Sequence, residues 1–152
     1  MSLPNIFSIW WISIDESHDR PKCLAGCDST QTHYADSARV IDAVIRNFIE
    51  GVIPSHSVTK LDFITTKYLT REKANEMLQW LLQHFTVEPA TQLTFRNALD
   101  SDFVDYEDAV VHTLASGANC DAIVTRNTKD FIHATIPVFT PTQFLEQFET
   151  LP

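Results

Sequence analysis

The chain has 152 residues, the length of one domain, and can bury about two thirds of its unfolded surface. A hydrophobic content of 44% and a charged content of 20% exclude a disordered protein. Twenty acidic residues against eleven basic ones give a formal charge of −9, which is awkward for a nucleic-acid binder unless the surplus acids surround metal ions or contact a basic partner. Three cysteines without framework spacing, and no apolar run near the roughly 18 residues of a membrane span, predict a reduced cytoplasmic protein.

The chain opens with a predicted strand. Residues 6–14 are rich in β-branched and aromatic side chains and predict a buried strand, which Asp15 and Glu16 follow directly. Residues 17–32 show no helical pattern. Cysteine and histidine side chains in or next to this segment match no standard zinc spacing, so free thiols and loop residues are favoured over a zinc site. These are His18, Cys23, Cys27 and His33.

Three helices are predicted in the middle of the chain. The first runs from His33 or Tyr34 to Glu50 and ends at Gly51, followed by a brief strand at residues 52–53. The second covers residues 57–68, and the third is capped by Thr70 and reaches residue 85. The apolar stripe of this third helix is predicted to be core. It consists of Ala74, Met77, Leu78, Leu81, Leu82 and Phe85.

Strands and helices continue to alternate in the last third of the chain. We predict strands at 86–88, 120–124 and 137–139, and helices at 91–99, 105–116 and 141–148. Strands separated by helices indicate an α/β fold with helices on both faces of the sheet. The expectation is one domain over residues 1–152, built as a three-layer α/β/α sandwich with a mainly parallel central sheet.

Acidic side chains begin the helix at Asp105. At ~100° per residue, Asp108 lies near 300° from Asp105 and His112 near 340°, so these three share one face. The opposite face is apolar. Glu107 lies within the apolar arc, and this is tolerable in a first turn, where an acid meets the positive end of the helix dipole.

A second polar cluster follows the strand at residues 120–124. Thr125, Arg126 and Asn127 come directly after it, and Asp130 lies three residues further on. Open α/β sheets bind ligands at the carboxyl ends of their strands. A helix that starts with acids and a strand that ends near one can aim carboxylates at one point.

These segments resemble the PIN domain, the fold of VapC-like toxins of type II toxin–antitoxin pairs and of other metal-dependent nucleases. The resemblance is carried by Asp-Tyr-Glu-Asp-Ala at 105–109, by residues 117–131, and by Ile-Pro-Val-Phe-Thr-Pro-Thr-Gln-Phe-Leu at 136–145. A weaker likeness extends back to about Tyr34. Residues 1–33 are atypical for the family.

The resemblance implies a Mg²⁺- or Mn²⁺-dependent endoribonuclease that hydrolyses RNA phosphodiester bonds. Carboxylates supply the oxygen ligands that Mg²⁺ prefers, and the bound ion activates water and stabilises the leaving oxygen. The implied metal-binding and catalytic residues are Asp15, Asp105, Asp108 and Asp130. Thr125, Arg126 and Asn127 are implied to contact the phosphate or orient the acids.

Simpler roles compete with these assignments. Asp105 and Glu107 could serve only the helix N-terminus, Asp130 could cap a turn, and Arg126 could form a structural ion pair. Residues 15–17 also lack the Asp-Thr-Asn triplet with which the family ends its first strand, so Asp15 fills that place by position alone.

The second family acid is also missing. Lys60 stands near its place, and Asp62, about 200° further round a helix, cannot substitute without a register shift. His56 could line the cleft, although a histidine beside a proline turn is more often structural.

Two functions of different classes remain open. One is the toxin ribonuclease, with an RNA substrate, a cognate antitoxin and a homodimer as expected partners. The other is a catalytically impaired PIN-like module that binds RNA or protein. A small-molecule enzyme is disfavoured because no Gly-rich phosphate loop follows any strand. Aromatic side chains at Trp10, Trp11 and Trp80 could contribute to a dimer interface, although buried aromatics are commoner.

Overall fold

A computed structural model describes the backbone of residues 7–11 and 28–147 and the side chains of residues 35–147. The strands are β1 (Phe7–Trp11), β2 (Ile49–Pro54), β3 (Phe85–Glu88), β4 (Ala122–Val124) and β5 (Val138–Phe139). The helices are α1 (Asp28–Ile45), α2 (Ser55–Tyr68), α3 (Arg71–His84), α4 (Gln92–Leu99), α5 (Tyr106–Gly117) and α6 (Pro141–Gln147). A 3₁₀ turn at Thr128–Phe131 follows β4.

The described strands form one sheet in the order β3-β2-β1-β4-β5, and every pair in it is parallel. The predicted α/β fold is therefore confirmed. Strand β1 lies in the centre, with β2 and β3 on one side and β4 and β5 on the other. The order reverses between β1 and β4, where Trp11 is in register with Val124.

Alternating residues of the strands contribute to two hydrophobic cores, one on each face of the sheet. Val52 and Ile123 belong to the core beneath α4 and α5, together with Val111 and Leu114. Their chain neighbours belong to the other core, beneath α1 and α6. These are Ile53 and Val124. The period of two along each strand thus builds the three layers.

The first long helix differs from its predicted bounds at both ends. Helix α1 begins at Asp28, before the predicted start at His33 or Tyr34. The prediction missed these first turns because they are polar and carry no apolar periodicity. It ends at Ile45, so the prediction that the helix reaches Glu50 is wrong. Asn47 adopts φ 58°, and Phe48 donates to the Ala43 carbonyl oxygen at 2.9 Å. This is the Schellman motif, with Asn in the position that Gly usually takes.

The same motif ends α5. Asn119 adopts φ 53°, and Cys120 donates to the carbonyl oxygen of Ala115 at 3.0 Å. The turn was predicted at Gly117, which is instead the last helical residue. Asparagine tolerates the left-handed conformation, so both turns dispense with glycine.

The apolar stripe of α3 is only partly core. Thr70 caps the helix as predicted, and Ala74 is fully buried. Met77 and Leu82, however, are 39% and 54% exposed. Helix α3 packs against α2 and the edge strand β3, so a narrow part of its stripe is covered. Among the described helices, none is both long and apolar enough to cross a membrane.

Candidate active site

The candidate site lies at the carboxyl edge of the sheet, where the strand order reverses. Ligands of open α/β folds bind at this point because loops from both halves of the sheet meet there. The backbone of β1 is described to Trp11, so Asp15 lies outside the described residues. So do the side chains of the possible zinc ligands, His18, Cys23, Cys27 and His33.

The start of α5 carries two of the predicted acids. Asp105 is the N-cap residue, and its Oδ1 accepts a hydrogen bond from the Asp108 backbone N–H at 3.1 Å. The cap satisfies a backbone donor that the first helical turn leaves without a partner. The simpler role foreseen for Asp105 is therefore real, and it also fixes Asp105 beside Asp108.

The tip of β4 brings the remaining predicted residues close to one another. Asn127 donates a side-chain hydrogen bond to the Asp130 carboxylate. Thr125 is 5% exposed, and its hydroxyl accepts the backbone N–H of Asn127 at 3.1 Å. Arg126 is exposed. Thr125 thus shapes the turn that presents Asn127 and Asp130.

Asp108 is the electrostatic centre of this group. The pKa of its carboxyl is raised from an ordinary value of 3.8 to about 6, and burial is the largest cause. The carboxylates of Asp105, Asp130 and Glu107 contribute to this increase, in that order, and the Lys60 ammonium opposes it. The carboxylates of Asp105 and Asp130 therefore lie near enough to Asp108 to act on it electrostatically.

Lys60, from α2, contacts the first turn of α5. Its Nζ lies 3.0 Å and 3.3 Å from the two carboxylate oxygens of Glu107. Asp62 faces elsewhere and pairs with Arg71 at 2.6 Å. A cation paired with a neighbour of Asp108 thus lies near the place where the resemblance to PIN domains implied a second acid. Lys60 and Glu107 are 47 positions apart in the chain, so local sequence patterns could not reveal this contact.

His112 shares a face with Asp108 in the sequence pattern, but the structure turns it away from the acids. Its Nε2 accepts the backbone N–H of Thr135 at 3.0 Å, and its ring packs on Phe103. Burial lowers the pKa of His112, which keeps the imidazole neutral for this bond. His112 therefore has a structural role.

A cleft of about 480 Å³ adjoins the acidic cluster. It is lined by residues from α2, α4 and the first turns of α5, namely His56, Lys60, Phe95, Tyr106, Glu107 and Val110. His56 was foreseen here, whereas the two aromatic residues were missed. An aromatic residue directly after Asp105 was the available signal.

The acidic cluster suits a divalent ion by the chemistry of its groups. Carboxylates and an amide are oxygen donors of the kind that Mg²⁺ takes, and an ion that keeps several waters needs few protein ligands. Within the described residues, however, no three His, Cys, Asp or Glu side chains are placed to enclose an ion. The metal roles of Asp105, Asp108 and Asp130 remain predictions.

Comparison with known families gives a clear assignment. The profile of the PIN domain matches residues 23–129, which is more than half of the chain. Neither the curated proteins nor the solved structures gave a match. PIN domains in general are nucleases that bind RNA and depend on a divalent metal. With the parallel sheet and the match over residues 23–129, the chain belongs to the PIN domain family.

Proposed function

We propose that the protein is a divalent-metal-dependent endoribonuclease and the toxin component of a type II toxin–antitoxin pair. The observation that carries the proposal is the grouping of Asp105, Asp108 and Asp130 at the carboxyl edge of the sheet, where each raises the charge density around the others. A carboxyl such as that of Asp108, whose pKa is raised by burial and by neighbouring acids, is typical of a functional site.

The acids have a specific task in this reaction. Asp108, Asp105 and Asp130 would hold Mg²⁺ or Mn²⁺, with Asp15 as a further ligand by its position after β1. The bound ion supplies an activated water and stabilises charge on the leaving oxygen. The protein supplies orientation. Asp105 is fixed by its helix cap, and Asp130 by the Asn127 amide.

A polar group near the acids could hold the RNA phosphate. Arg126 is exposed next to Asn127, and both follow β4 directly. Basic residues are few relative to acidic ones, as the formal charge of −9 reflects. We therefore expect the protein to hold only the part of the RNA that lies next to the acids. The same acidity suits a basic antitoxin that covers the cleft, and a homodimer is the expected assembly.

The test is cleavage of single-stranded RNA with Mg²⁺ or Mn²⁺, compared with the same reaction in EDTA. Asp108→Asn keeps the size of the side chain and removes its charge. We expect it to lower cleavage more than about 100-fold, since even residues that only support metal ligands contribute 10- to 100-fold. Glu76→Gln removes an exposed carboxylate from the middle of α3 and is the matched control. Equal cleavage by Asp108→Asn and the parent would reject the assignment.

One observation favours the alternative, an impaired PIN module that binds RNA or protein. Lys60 forms an ion pair with Glu107 where the family places an acid, and its charge partly neutralises the group around Asp108. This reading predicts RNA binding without metal-dependent cleavage. Cleavage that requires Mn²⁺ and Asp108 would exclude it.

A further inference from the structure

The cleft beside the acids has two aromatic side chains in its lining. Tyr106 is 44% exposed and Phe95 is 43% exposed, although large aromatic side chains are usually well covered. The Tyr106 hydroxyl donates to the Phe95 carbonyl oxygen at 3.0 Å. This bond joins α5 to α4 and holds the tyrosine ring in place, so the cleft offers a preformed aromatic surface.

The same cleft contains an unused hydrogen-bonding atom. Nε2 of His56 is buried from solvent and has no hydrogen-bond partner among the described residues. The Glu107 carboxylate lies 3.9 Å from it, beyond hydrogen-bond distance. Burial is the main cause that lowers the pKa of His56, so the ring is neutral and Nε2 can donate or accept. Buried polar atoms normally have partners, so one that lines a cleft points to a ligand.

The cleft and the acidic site share the first turn of α5. Tyr106 and Glu107 lie between Asp105 and Asp108 in the first turn of α5, and Lys60 contacts Glu107. Successive residues of a helix face different sides, so this turn presents acids on one side and the cleft on the other. A single-stranded chain that binds in the cleft can therefore reach the acids around this turn. Lys60 carries the positive charge in the cleft lining and is paired with Glu107.

We propose that this cleft binds one unpaired base of single-stranded RNA, stacked on Tyr106 and Phe95 and hydrogen-bonded by His56. The inference rests on the proposed function for the identity of the polymer. Flat aromatic faces suit any base, and stacking is the usual way in which proteins hold unpaired nucleotides. The bound base anchors the adjacent phosphodiester next to Asp108.

The test measures binding, so that it does not depend on cleavage. Affinity is measured by fluorescence anisotropy in EDTA for a labelled single-stranded RNA, and for a ribose-phosphate strand of equal length that lacks bases. We expect the parent chain to prefer the base-containing strand by on the order of ten-fold per stacked base. Phe95→Ala and Tyr106→Ala should remove this preference, and Tyr106→Phe, which keeps the ring, should restore most of it.

Leu93→Ala is the matched control, because Leu93 is 65% exposed on the same helix as Phe95 and does not line the cleft. It should leave the preference intact, and thermal unfolding should show that every variant is folded. Equal affinity of the parent for the two strands would overturn the inference. So would a Leu93→Ala effect as large as that of Phe95→Ala, since a broad apolar surface would then be responsible.

A further readout concerns base identity. His56→Ala should reduce the differences in affinity among four RNAs that each contain a single base type, while the preference over the baseless strand remains. If RNA is bound with this preference but never cleaved, the proposed nuclease function fails and the base site stands. If metal-dependent cleavage occurs without any preference for bases, the base site fails and the nuclease function stands.

Discussion

The first turn of α5 and the rest of the same helix show opposite physical conditions. The first turn places the Asp105 and Asp108 carboxylates close enough to repel each other, in partly exposed surroundings. The following turns bury Val111 and Leu114 almost completely against the sheet. The buried turns stabilise the fold by removing apolar surface from water, whereas in the first turn the burial of the Asp108 carboxylate and its repulsion by neighbouring acids oppose folding.

This contrast indicates that one part of α5 stabilises the fold and another part forms the candidate site. Residues after Ala109 fix the position and direction of α5, and this fixed position holds the acids at the sheet edge. Changes in the buried turns should therefore act on stability, and changes in the first turn should act on ligand binding. The following predictions test this division, beginning with the largest expected effect.

Leu114→Ala should destabilise the protein by about 2–5 kcal/mol, because a fully packed leucine leaves a cavity when it is truncated. Urea unfolding measures the change. Leu93→Ala, at an exposed position, should stay within about 0.5 kcal/mol of the parent. RNA cleavage per folded molecule should be the same for the parent and for Leu114→Ala. A loss of cleavage with little loss of stability would contradict the division.

Substitution of two glycines by alanine should change the stability of the protein in opposite directions. A Cβ at Gly51 would lie 2.5 Å from Cδ1 of Phe85 and 2.9 Å from Cγ1 of Val44, so Gly51→Ala should cost about 1–3 kcal/mol. At Gly117, the last residue of α5, a Cβ meets no atom within 4 Å. Gly117→Ala should stabilise the protein by about 0.5–1 kcal/mol through the greater helix propensity of alanine. Thermal unfolding distinguishes the two, and destabilisation by both would contradict the prediction.

Asp108→Asn should stabilise the metal-free protein at pH 7.5, by less than about 1 kcal/mol because solvent screens a partly exposed charge. The pKa of Asp108 is about 6 in the folded protein and 3.8 in the unfolded chain, so the folded state binds the proton more tightly. Protonation of Asp108 therefore stabilises the parent protein fully below pH 3.8, and this stabilisation is lost as the pH rises through 6. The advantage of the variant should thus grow between these pH values, as thermal unfolding in EDTA can measure. An advantage that shrinks as the pH rises would contradict the pKa shift.

The Cys120 thiol, just beyond the C-terminal end of α5, should be unreactive in the folded protein. The pKa of the Cys120 thiol is raised to about 12, mainly by burial and also by the carboxylates of Asp121, Glu50 and Glu88. Only thiolates react readily with alkylating reagents, so Cys120 should resist iodoacetamide at pH 8 in the folded protein and react in urea. Peptide mapping by mass spectrometry measures this. Rapid labelling of the folded protein would show that the end of α5 opens easily.

Local patterns in the sequence predicted those parts of the site that depend on short spacings. Helical spacing paired Asp105 with Asp108, and the strand before Thr125 placed Asp130 near the same edge. Contacts between distant segments were beyond this reasoning. The Lys60–Glu107 ion pair is one of them.

The same limit applies to the ends of helices and to the cleft. The turns after α1 and α5 use Asn47 and Asn119, so a search for glycine misplaced both. The hydrogen bond from Tyr106 to Phe95 depends on how α4 and α5 pack, which periodicity within each helix does not specify.

The acids around Asp108 are proposed to bind a divalent ion, and calorimetric titration with Mn²⁺ at pH 7.5 tests this binding most directly. We expect heat of binding for the parent chain and for the Glu76→Gln control, and its loss in Asp108→Asn. Absence of binding heat in the parent, or equal heat in Asp108→Asn, would contradict it.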